Sequence, residues 1–369
     1  MRERIVEIAE NGRYLSCRDG FLLVSEKGEE LGRVPLDDVL GVIATAPGVS
    51  FSRSLVDSLA TRGAAFVLCG KNFTPAAWLV PMTGHHAQGE RLRAQAAASV
   101  PVRKRAWQAL VQSKLEWQAA TLAAAGIPPA PLLSLVQKVR SGDPHNAEAQ
   151  GARRYWKLLF GKGFHRDTEA AGINALLNHG YAVLRAAAAR AVAGAGLHPG
   201  LGVFHSSHKN PMPLADDLME PFRPAIDATV RLRMAGTGCE GGVTPEVKRQ
   251  LVKTLFLDID TDRGTTPLAV CVQRLASSLA ELFLGERKDL EIAPAPAGEV
   301  FRQRLLTESE REDTDRVSAD VDDGDVWPAG HHGYGTEGGH GLPWGAPGRR
   351  VRDGAVLHLH TPVLRKRAG

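Results

Sequence analysis

Short apolar-rich runs separated by turn residues characterise the first 85 positions of the chain. The runs fall at Arg4–Ile8, Tyr14–Cys17, Phe21–Val24, Arg33–Pro35, Val39–Ile43 and Ala65–Leu68. The dipeptides Asp19-Gly20 and Lys27-Gly28 are typical of hairpin turns between strands. Ser52–Arg62 instead has helical spacing and is followed by Gly63, which favours a helix end. Residues 1–85 are therefore predicted to form an N-terminal β-strand domain.

The spacing of apolar positions becomes helical after residue 85. A helix is predicted over Gly89–Ala124, with an interruption near Pro101. Its apolar points are Leu92, Ala96, Trp107, Leu110, Val111 and Leu115. Helical patterns continue to about Leu290. The predicted fold class is α+β, in which the β domain is followed by a larger all-α domain over residues 86–292.

The composition changes again at residue 293. The sequence Ala293-Pro294-Ala295-Pro296 is typical of a linker. Residues 305–325 carry 9 acidic and 2 basic side chains, and residues 327–369 are rich in Gly, His and Pro. A histidine-rich tract can bind metal, but these histidines lack a regular ligand spacing. We expect residues 293–369 to be a disordered tail.

Charge along the chain is uneven. The net charge of the 369 residues is only +4, whereas residues 86–260 contain 22 Lys and Arg against 14 Asp and Glu. A basic central region suits a polyanionic partner, although helices often carry solvated basic residues for other reasons. Hydrophobic residues make up 43% of the chain, enough for a sizeable core.

The remaining composition predicts a cytosolic protein without a membrane span. The N-terminus has no apolar signal core, and no uncharged apolar run approaches the roughly 18–20 residues that a span needs. Cys17, Cys69, Cys239 and Cys271 form no CxxC pair. Reduced thiols are therefore expected, rather than disulfides or a zinc ribbon.

Glu148 is the first candidate for chemistry. Asp143 is predicted to cap a helix whose first residue is Pro144, and Glu148 would then lie in its second turn. Small neighbours such as Ala152 on the same face would leave space beside the carboxylate for an ion or a phosphate. The alternative is a solvated glutamate on an amphipathic helix.

His205 is the second candidate. It follows a glycine-rich loop, residues 194–202, which ends a predicted long helix over residues 172–193. The apolar pair Val203-Phe204 would position it. His198 and His208 compete with His205 for a metal role, and a histidine in the core or on the surface is the alternative.

Asp217 and Glu220 form the third candidate pair. They lie three residues apart and so share one helix face. Pro221 has no amide hydrogen and would disturb a continuous helix at this point. Two carboxylates on one face at such an irregularity are costly without a cation.

Together these residues supply carboxylate oxygens and one imidazole. Carboxylates suit Mg²⁺ and Mn²⁺, and a single imidazole favours Mn²⁺ somewhat. An ion of this kind can activate a hydroxyl and stabilise charge on a phosphodiester. A zinc hydrolase is a chemical alternative, but the chain lacks an HExxH motif and has no cysteine close to these residues in sequence.

In this order, the segments resemble the CRISPR-associated integrase family, most like the form that accompanies type II effector systems. The resemblance covers about residues 1–290. It rests on these segments: Glu148 with Ala152–Trp156, Asn174–Tyr181, Gly196–Gly202 with His205, Asp217–Pro224 and Asp227. The acidic run and the histidine-rich tail do not match the family pattern.

The resemblance implies a metal-dependent DNA endonuclease and integrase. Its reaction joins the 3′-hydroxyl of a short DNA duplex to a phosphodiester at a CRISPR repeat. By motif position, Glu148, His205 and Glu220 would bind the ion, Mg²⁺ or Mn²⁺. Asp217 matches a further acidic position that binds the ion or orients a ligand.

The resemblance also implies partners. These are double-stranded DNA, a second copy of the chain joined through the N-terminal domain, and a small ferredoxin-like CRISPR-associated protein that bridges two dimers. The basic candidates for backbone contacts to DNA are Arg153, Arg166, Arg185, Arg223 and Lys248. Two alternatives stay open, a non-catalytic DNA-binding scaffold and a zinc hydrolase of a small substrate.

Overall fold

A computed structural model describes residues 4–70, 75–79, 86–207, 209–233 and 243–306. His208, Cys239 and residues 307–369, which include the histidine-rich segment, lie outside the described residues. Cys17, Cys69 and Cys271 are free thiols. Within the described ranges, no helix has both the length and the apolar character that crossing a membrane requires.

Two four-stranded sheets make up the N-terminal part. Their strands are β1 (Arg4–Ile8), β2 (Arg13–Arg18), β3 (Phe21–Glu26), β4 (Glu29–Pro35), β5 (Val39–Ala44), β6 (Ser50–Phe51), β7 (Ala65–Cys69) and β8 (Pro75–Leu79). One sheet has the order β1-β5-β7-β8, with the first three strands parallel and β8 antiparallel to β7. The other has the order β4-β3-β2-β6, in which β2, β3 and β4 form an antiparallel meander. The predicted strands are confirmed.

The hairpin turns and the helix after β6 are explained by the residues at their ends. Asp19-Gly20 and Lys27-Gly28 all have positive φ, between 51° and 90°, as two-residue hairpin turns require. The predicted helix α1 (Arg53–Thr61) begins at Ser52, whose hydroxyl accepts the amide of Leu55. Leu55 packs into the buried core of this part.

The rest of the described chain is mainly helical. Its helices are α2 (Gln88–Ala97), α3 (Val100–Ala124), α4 (Ala130–Val136), α5 (Ala147–Leu159), α6 (Ile173–Gly194), α7 (Pro213–Met219), α8 (Arg223–Arg233), α9 (Pro245–Lys253) and α10 (Leu268–Leu284). Pro101 lies in the first turn of α3, so the predicted interruption separates α2 from α3. The α+β class, strands followed by helices, is confirmed.

Helices α3 and α6 organise this core. Helix α3 packs against α4, α5 and α8, whereas α6 packs against α7, α8, α9 and α10. Trp107 and Trp117 of α3 are buried in this core, with exposures of 1% and 0%. The two helices therefore fix where the shorter helices, and the polar residues they carry, meet.

A hairpin in the helical part was not predicted. Strands β9 (Asp258–Thr261) and β10 (Gly264–Pro267) pair antiparallel before α10 begins. Gly264 has a φ of 89° at the turn. The signal was a turn glycine beside two β-branched residues, Thr265 and Thr266, which favour strands.

Residues 293–306 differ from the linker that the composition predicted. Ala293, Phe301 and Leu305 are 7%, 0% and 1% exposed and belong to the helical core. Trp117 Nε1 donates to the carbonyl of Ala293 at 3.2 Å, and residues 298–306 are helical. The spacing of four between Phe301 and Leu305 places both on one helix face, and this outweighs the Ala-Pro composition.

A buried polar cluster joins the strands to the helices. The Glu7 side chain on β1 is 0% exposed, and its Oε1 lies 3.8 Å from Lys248 Nζ of α9 and 3.9 Å from His179 Nε2 of α6. Thr45 donates to the same oxygen at 3.1 Å. Burial raises the pKa of Glu7, although Lys248 and Thr45 act in the opposite direction.

Candidate functional site

Glu148 lies at the start of α5, where two polar side chains hold the helix end. The Asp143 carboxylate accepts the amides of Ala147 and Glu148, at 2.8 and 3.0 Å. Asn146 is the N-cap residue. The helix begins at Ala147 rather than at Pro144, because Asp143 and Asn146 both have positive φ. Glu148 is therefore in the first turn, not in the second as predicted.

Lys114 of α3 connects Glu148 with Glu220. Its Nζ lies 2.6 Å from Glu148 Oε1 and 2.5 Å from Glu220 Oε2. The distance between Glu148 Oε1 and Glu220 Oε2 therefore cannot exceed the sum of these two distances. Burial opposes the charge of Lys114, but Glu220 and Glu148 outweigh it and raise the pKa of the ammonium.

The loop that leads to His205 is held by α2. Gln95, 5% exposed, accepts the amide of His198 and donates to the carbonyls of His198 and Leu201, at 2.8 to 2.9 Å. Arg91 donates to the carbonyl of Ala195 at 3.0 Å. His198 is exposed, and its Nδ1 accepts a backbone amide within the loop.

Asp217 fixes the end of this loop and the ring of His205. The Asp217 side chain is 0% exposed. Its carboxylate accepts the amides of Val203 at 2.6 Å and Phe204 at 3.0 Å, and it lies 2.5 Å from His205 Nδ1. A Cβ at Gly202 would come within 2.9 Å of Asp217 Oδ2, so the loop approaches this closely only because residue 202 has no side chain.

These contacts determine which nitrogen of His205 is available. As an acceptor, the Asp217 carboxylate favours a proton on Nδ1 and leaves Nε2 for another partner. The hydrogen bond to Asp217 is the main cause that raises the pKa of His205, and the charges of Glu220 and Glu148 add to it. The His205 side chain is 42% exposed, so a substrate can reach it.

Trp107 of α3 supports the same loop by packing against Phe204 and His205. Trp107 stacks on Phe204 with ring centroids 4.4 Å apart and meets the His205 ring edge-on at 5.4 Å. Phe204 is 50% exposed. An exposed aromatic face therefore lies beside the candidate histidine.

Glu220 lies in a short 3-10 turn, Glu220–Phe222, between α7 and α8. Pro221 produces the irregularity that the sequence predicted. Arg223 donates to Glu220 Oε1 at 2.7 Å. Burial would raise the pKa of Glu220, but Arg223 and Lys114 lower it to about 2. Glu220 is therefore a buried but ionised carboxylate.

A further buried carboxylate, Asp227, lies behind Arg223. It accepts hydrogen bonds from Tyr155 at 2.9 Å and from Tyr181. Arg223 stacks over the Tyr181 ring, 4.2 Å from its centroid. Burial is the main cause that raises the pKa of Asp227 to about 6. This network ties α5 and α6 to α8, which follows Glu220.

The structure thus brings Glu148 and Glu220 to one ammonium group, that of Lys114. His205 is close enough for the charges of both glutamates to raise its pKa. Among the described residues, no group of three or more His, Cys, Asp or Glu side chains is arranged to hold a metal ion directly. The ligand set Glu148, His205 and Glu220 therefore stays a prediction. The Asp217 carboxylate does not contact Lys114 in the same way as Glu148 and Glu220. It bonds the backbone amides of Val203 and Phe204 and the ring of His205.

The five basic candidates lie in different settings. Arg153 is exposed on α5. Arg166 bonds Asn174 and Asn178, and Arg185 pairs with Asp216, at 2.6 Å. Arg223 contacts Glu220, as described above. Lys248 is 8% exposed and faces Glu7, which argues against a DNA contact because its ammonium is inside the protein.

Sequence analysis missed Lys114, although a signal was present. Trp107, Leu110 and Val111 define the buried face of α3, and Lys114 comes seven residues after Trp107 on the same face. A lysine at such a position is costly unless it is paired. The pattern therefore called for buried anionic partners on neighbouring helices.

Comparisons with known proteins agree with this picture. Residues 6–236 match the family described as CRISPR associated protein Cas1. The chain is 36% identical over 273 residues to the CRISPR-associated endonuclease Cas1 of Neisseria meningitidis serogroup C, covering 73% of this chain and 89% of that protein. It is 30% identical over 243 residues to a CRISPR-associated endonuclease Cas1 of Thermus thermophilus, covering 61% of this chain and 74% of that protein.

Solved structures share the fold. A casposase bound to an integration product superposes with a TM-score of 0.67 at 19% identity, covering 83% of this chain and 99% of that one. A Cas1 protein from Thermotoga maritima superposes with a TM-score of 0.60 at 14% identity, covering 78% and 98%. Since the family match spans more than half of the chain and the relative from Neisseria meningitidis is similar over most of its length, this protein belongs to the Cas1 family of CRISPR-associated endonucleases.

Proposed function

We propose that this protein is the integrase of CRISPR spacer acquisition, in a system most like type II. It inserts short DNA duplexes into a CRISPR array by joining their 3′-hydroxyl to a phosphodiester at the repeat, and it cleaves DNA in a metal-dependent reaction. The observation that carries the proposal is the meeting of Glu148 and Glu220 at one buried cation beside His205. Membership of the Cas1 family supports the reaction class.

The residues at the site fit a hard divalent cation. Two ionisable carboxylates already accept a positive charge between them, which is the environment that Mg²⁺ or Mn²⁺ prefers. When bound, such an ion supplies Lewis-acid stabilisation of the charge that develops on a phosphodiester. Glu148 and Glu220 would hold it through oxygen and His205 through Nε2.

Asp217 acts through His205 rather than on the ion. Its hydrogen bond to Nδ1 orients the imidazole and keeps Nε2 as the free lone pair. Arg223 holds Glu220 in its ionised form by direct contact. These two residues position ligands and do not touch the reacting atoms.

DNA would approach from the exposed side of the site. Arg153 is the best placed of the basic candidates, since it is exposed on the helix that carries Glu148. Arg166 and Arg185 would have to share their present hydrogen bonds with phosphates. Binding through such contacts weakens steeply as salt rises.

We also propose partners and a setting. The protein would work as a homodimer joined through residues 1–85, with residues 86–292 as the catalytic domain, in the prokaryotic cytoplasm. A small ferredoxin-like CRISPR-associated protein would bridge two dimers. A solved structure that shares the fold, with a TM-score of 0.62 at 14% identity, is described as a Cas6-RT-Cas1--Cas2 complex, which supports a CRISPR-associated partner for this chain.

The test is an integration assay with a short duplex, a plasmid carrying a repeat, and the small partner. We expect joined product with Mg²⁺ or Mn²⁺ and none with EDTA. Glu148→Gln and Glu220→Gln should abolish joining, whereas Glu90→Gln, an exposed glutamate in the first turn of α2, should not. Joining by both site variants at the wild-type rate would contradict the proposal.

The same assay separates the alternatives. A DNA-binding scaffold would keep all its activities in EDTA. A zinc hydrolase would be isolated with stoichiometric zinc, which elemental analysis of the purified protein detects. Activity restored by Mg²⁺ or Mn²⁺ after EDTA treatment, without zinc, would leave only the integrase.

A further inference from the structure

Lys114 is the one residue that contacts both candidate ligand carboxylates in the contacts described above. It lies on the buried face of α3, and its side chain is 10% exposed. A lysine in this position loses most of its hydration, which is unfavourable unless anions replace the water. Glu148 and Glu220 are those anions. The ammonium is therefore held at this point by the same two groups that are predicted to hold the metal.

A divalent metal ion and the Lys114 ammonium would repel one another if both contacted Glu148 and Glu220. Glu220 Oε2 is buried and accepts no hydrogen bond from the described residues, but it forms the ion pair with Lys114. A divalent ion would need carboxylate oxygens at roughly 2.0–2.6 Å. An ammonium within hydrogen-bond range of the same oxygens would repel that ion.

The Lys114 side chain can move away from the two carboxylates by changing its conformation. Its four-carbon stem is flexible, and its charge is compact. The neighbouring Arg223 is different, because its guanidinium stacks on Tyr181 and contacts the other oxygen of Glu220, Oε1. Arg223 can therefore stay in place while Lys114 withdraws.

We propose that Lys114 is a placeholder cation: in the metal-free protein its ammonium occupies the position of the divalent ion between Glu148 and Glu220, and metal binding displaces it from at least one of the two carboxylates. This inference rests on the proposed metal-dependent function. The ammonium keeps two repelling carboxylates assembled without metal. The same contact lowers the apparent affinity for metal, because the ion binds only the fraction of molecules in which the lysine has withdrawn.

The first test measures Mn²⁺ binding by calorimetry to the full chain and to Lys114→Met, which keeps the length of the side chain and removes its charge. We expect the variant to bind Mn²⁺ about tenfold more tightly, as for a site that is open in about one tenth of wild-type molecules. Its metal-free form should melt at a lower temperature than the wild type, and Mn²⁺ should raise that temperature more. Unchanged or weaker Mn²⁺ binding by Lys114→Met would overturn the proposal.

A second variant separates displacement from general electrostatics. Arg223→Met also removes a positive charge from Glu220, but it leaves the ammonium bridge in place. We expect a gain in Mn²⁺ affinity clearly smaller than that of Lys114→Met. Equal gains in the two variants would show that only net charge matters, and the placeholder role would be rejected.

A measurement on the wild-type protein does not depend on any variant folding. Lysine-specific labelling followed by mass spectrometry reports how accessible Lys114 is. We expect Lys114 to be protected without metal and labelled faster with Mn²⁺, relative to the exposed Lys104 on the same helix. The same labelling rate with and without Mn²⁺, at concentrations that saturate the site, would contradict displacement.

Failure of this inference and failure of the proposed metal site look different. If wild-type protein and Lys114→Met both fail to bind Mn²⁺, the metal site itself is wrong, and the placeholder role falls with it. If wild-type protein binds Mn²⁺, Glu220→Gln loses it and Lys114→Met is unchanged, the metal site stands and only the placeholder role is rejected.

Discussion

At the scale of single residues, Asp217 shows how one buried acceptor holds both the loop and the imidazole of the candidate site. One buried carboxylate receives backbone amides from the loop and the Nδ1 proton of His205. Burial raises the pKa of Asp217, and these hydrogen bonds counteract the shift. The residue therefore links loop geometry to the orientation of the imidazole.

Asp217→Asn should weaken both stability and DNA joining. An amide cannot accept all of these protons, so buried donors lose partners at a cost of about 2–3 kcal/mol. Urea denaturation measures the loss, and the integration assay measures the fall in rate. Asp216→Asn is the matched control; its half-exposed carboxylate pairs with Arg185, so we expect a smaller loss. Equal losses in the two variants would contradict the role given to Asp217.

Asp227 should make the protein less stable as pH rises through the mildly acidic range. Its pKa in the folded protein is about 6, above the value near 3.9 of an unfolded chain. The folded state then binds the extra proton between these pH values, so Asp227 disfavours folding increasingly as pH rises from about 4 to about 6, by up to roughly 3 kcal/mol. Above pH 6 this contribution is constant.

The comparison of wild-type protein with Asp227→Asn isolates this effect. The difference between their free energies of unfolding should change in favour of the variant as pH rises from 4 to 6.5. Urea titrations at four pH values measure it. A difference that does not vary with pH would show that Asp227 titrates as in an unfolded chain.

At the scale of elements, the close packing of α5 on α3 holds Glu148 beside Lys114. Gly151 lies one turn after Glu148, and a Cβ there would collide with Leu115 of α3. A side chain at residue 151 would require either the buried Leu115 side chain or the helices themselves to shift. The absence of a side chain at residue 151 therefore lets α5 pack closely on α3 beside Glu148 and Lys114.

Gly151→Ala should destabilise the protein by about 1–3 kcal/mol, as overpacking does, and should slow DNA joining. Gly163→Ala is the control, because a Cβ at that position would meet nothing within 4 Å. We expect the control to change stability by less than about 0.5 kcal/mol. Thermal melting and the integration assay measure both. A neutral Gly151→Ala variant would show that the close contact between α5 and α3 at this position is not needed for the site.

At the scale of the whole molecule, the strands and helices are joined by the cluster around Glu7. Loss of this carboxylate would remove the buried anion that Lys248 and His179 face. Glu7→Ala is therefore expected to cost about 3–5 kcal/mol. The exposed pair Asp37 and Arg62 offers a control, and Asp37→Ala should cost less than about 1 kcal/mol. Urea denaturation that gives the same loss for both would contradict a structural role for the cluster.

Much of this architecture was predictable because it follows local patterns. Turn residues and apolar runs located the hairpins of the N-terminal part, and Pro101 located the start of α3. The contacts between distant segments were not predictable in the same way. Lys248 was expected at the surface, yet its partner Glu7 lies far away in sequence. Phe301 and Leu305 belong to the core although their flanking composition is that of a linker.

The site shows the same division. Glu148, His205, Asp217 and Glu220 could be selected as candidates from motif order and residue type. Their geometry depends on α3, which supplies Lys114 and Trp107, and on Gln95 of α2. Those positions carry no motif, and only the spacing of buried residues on α3 indicated that Lys114 needed partners.

The most direct measurement is pulsed electron paramagnetic resonance of Mn²⁺ bound to the full chain, which detects a nitrogen bonded to the ion. Three side chains around one cation predict one Mn²⁺ per chain with a ¹⁴N coupling. The coupling should disappear in His205→Gln, and Mn²⁺ binding should disappear in Glu148→Gln and Glu220→Gln. Bound Mn²⁺ without nitrogen coupling, or binding that survives both glutamate substitutions, would contradict the account.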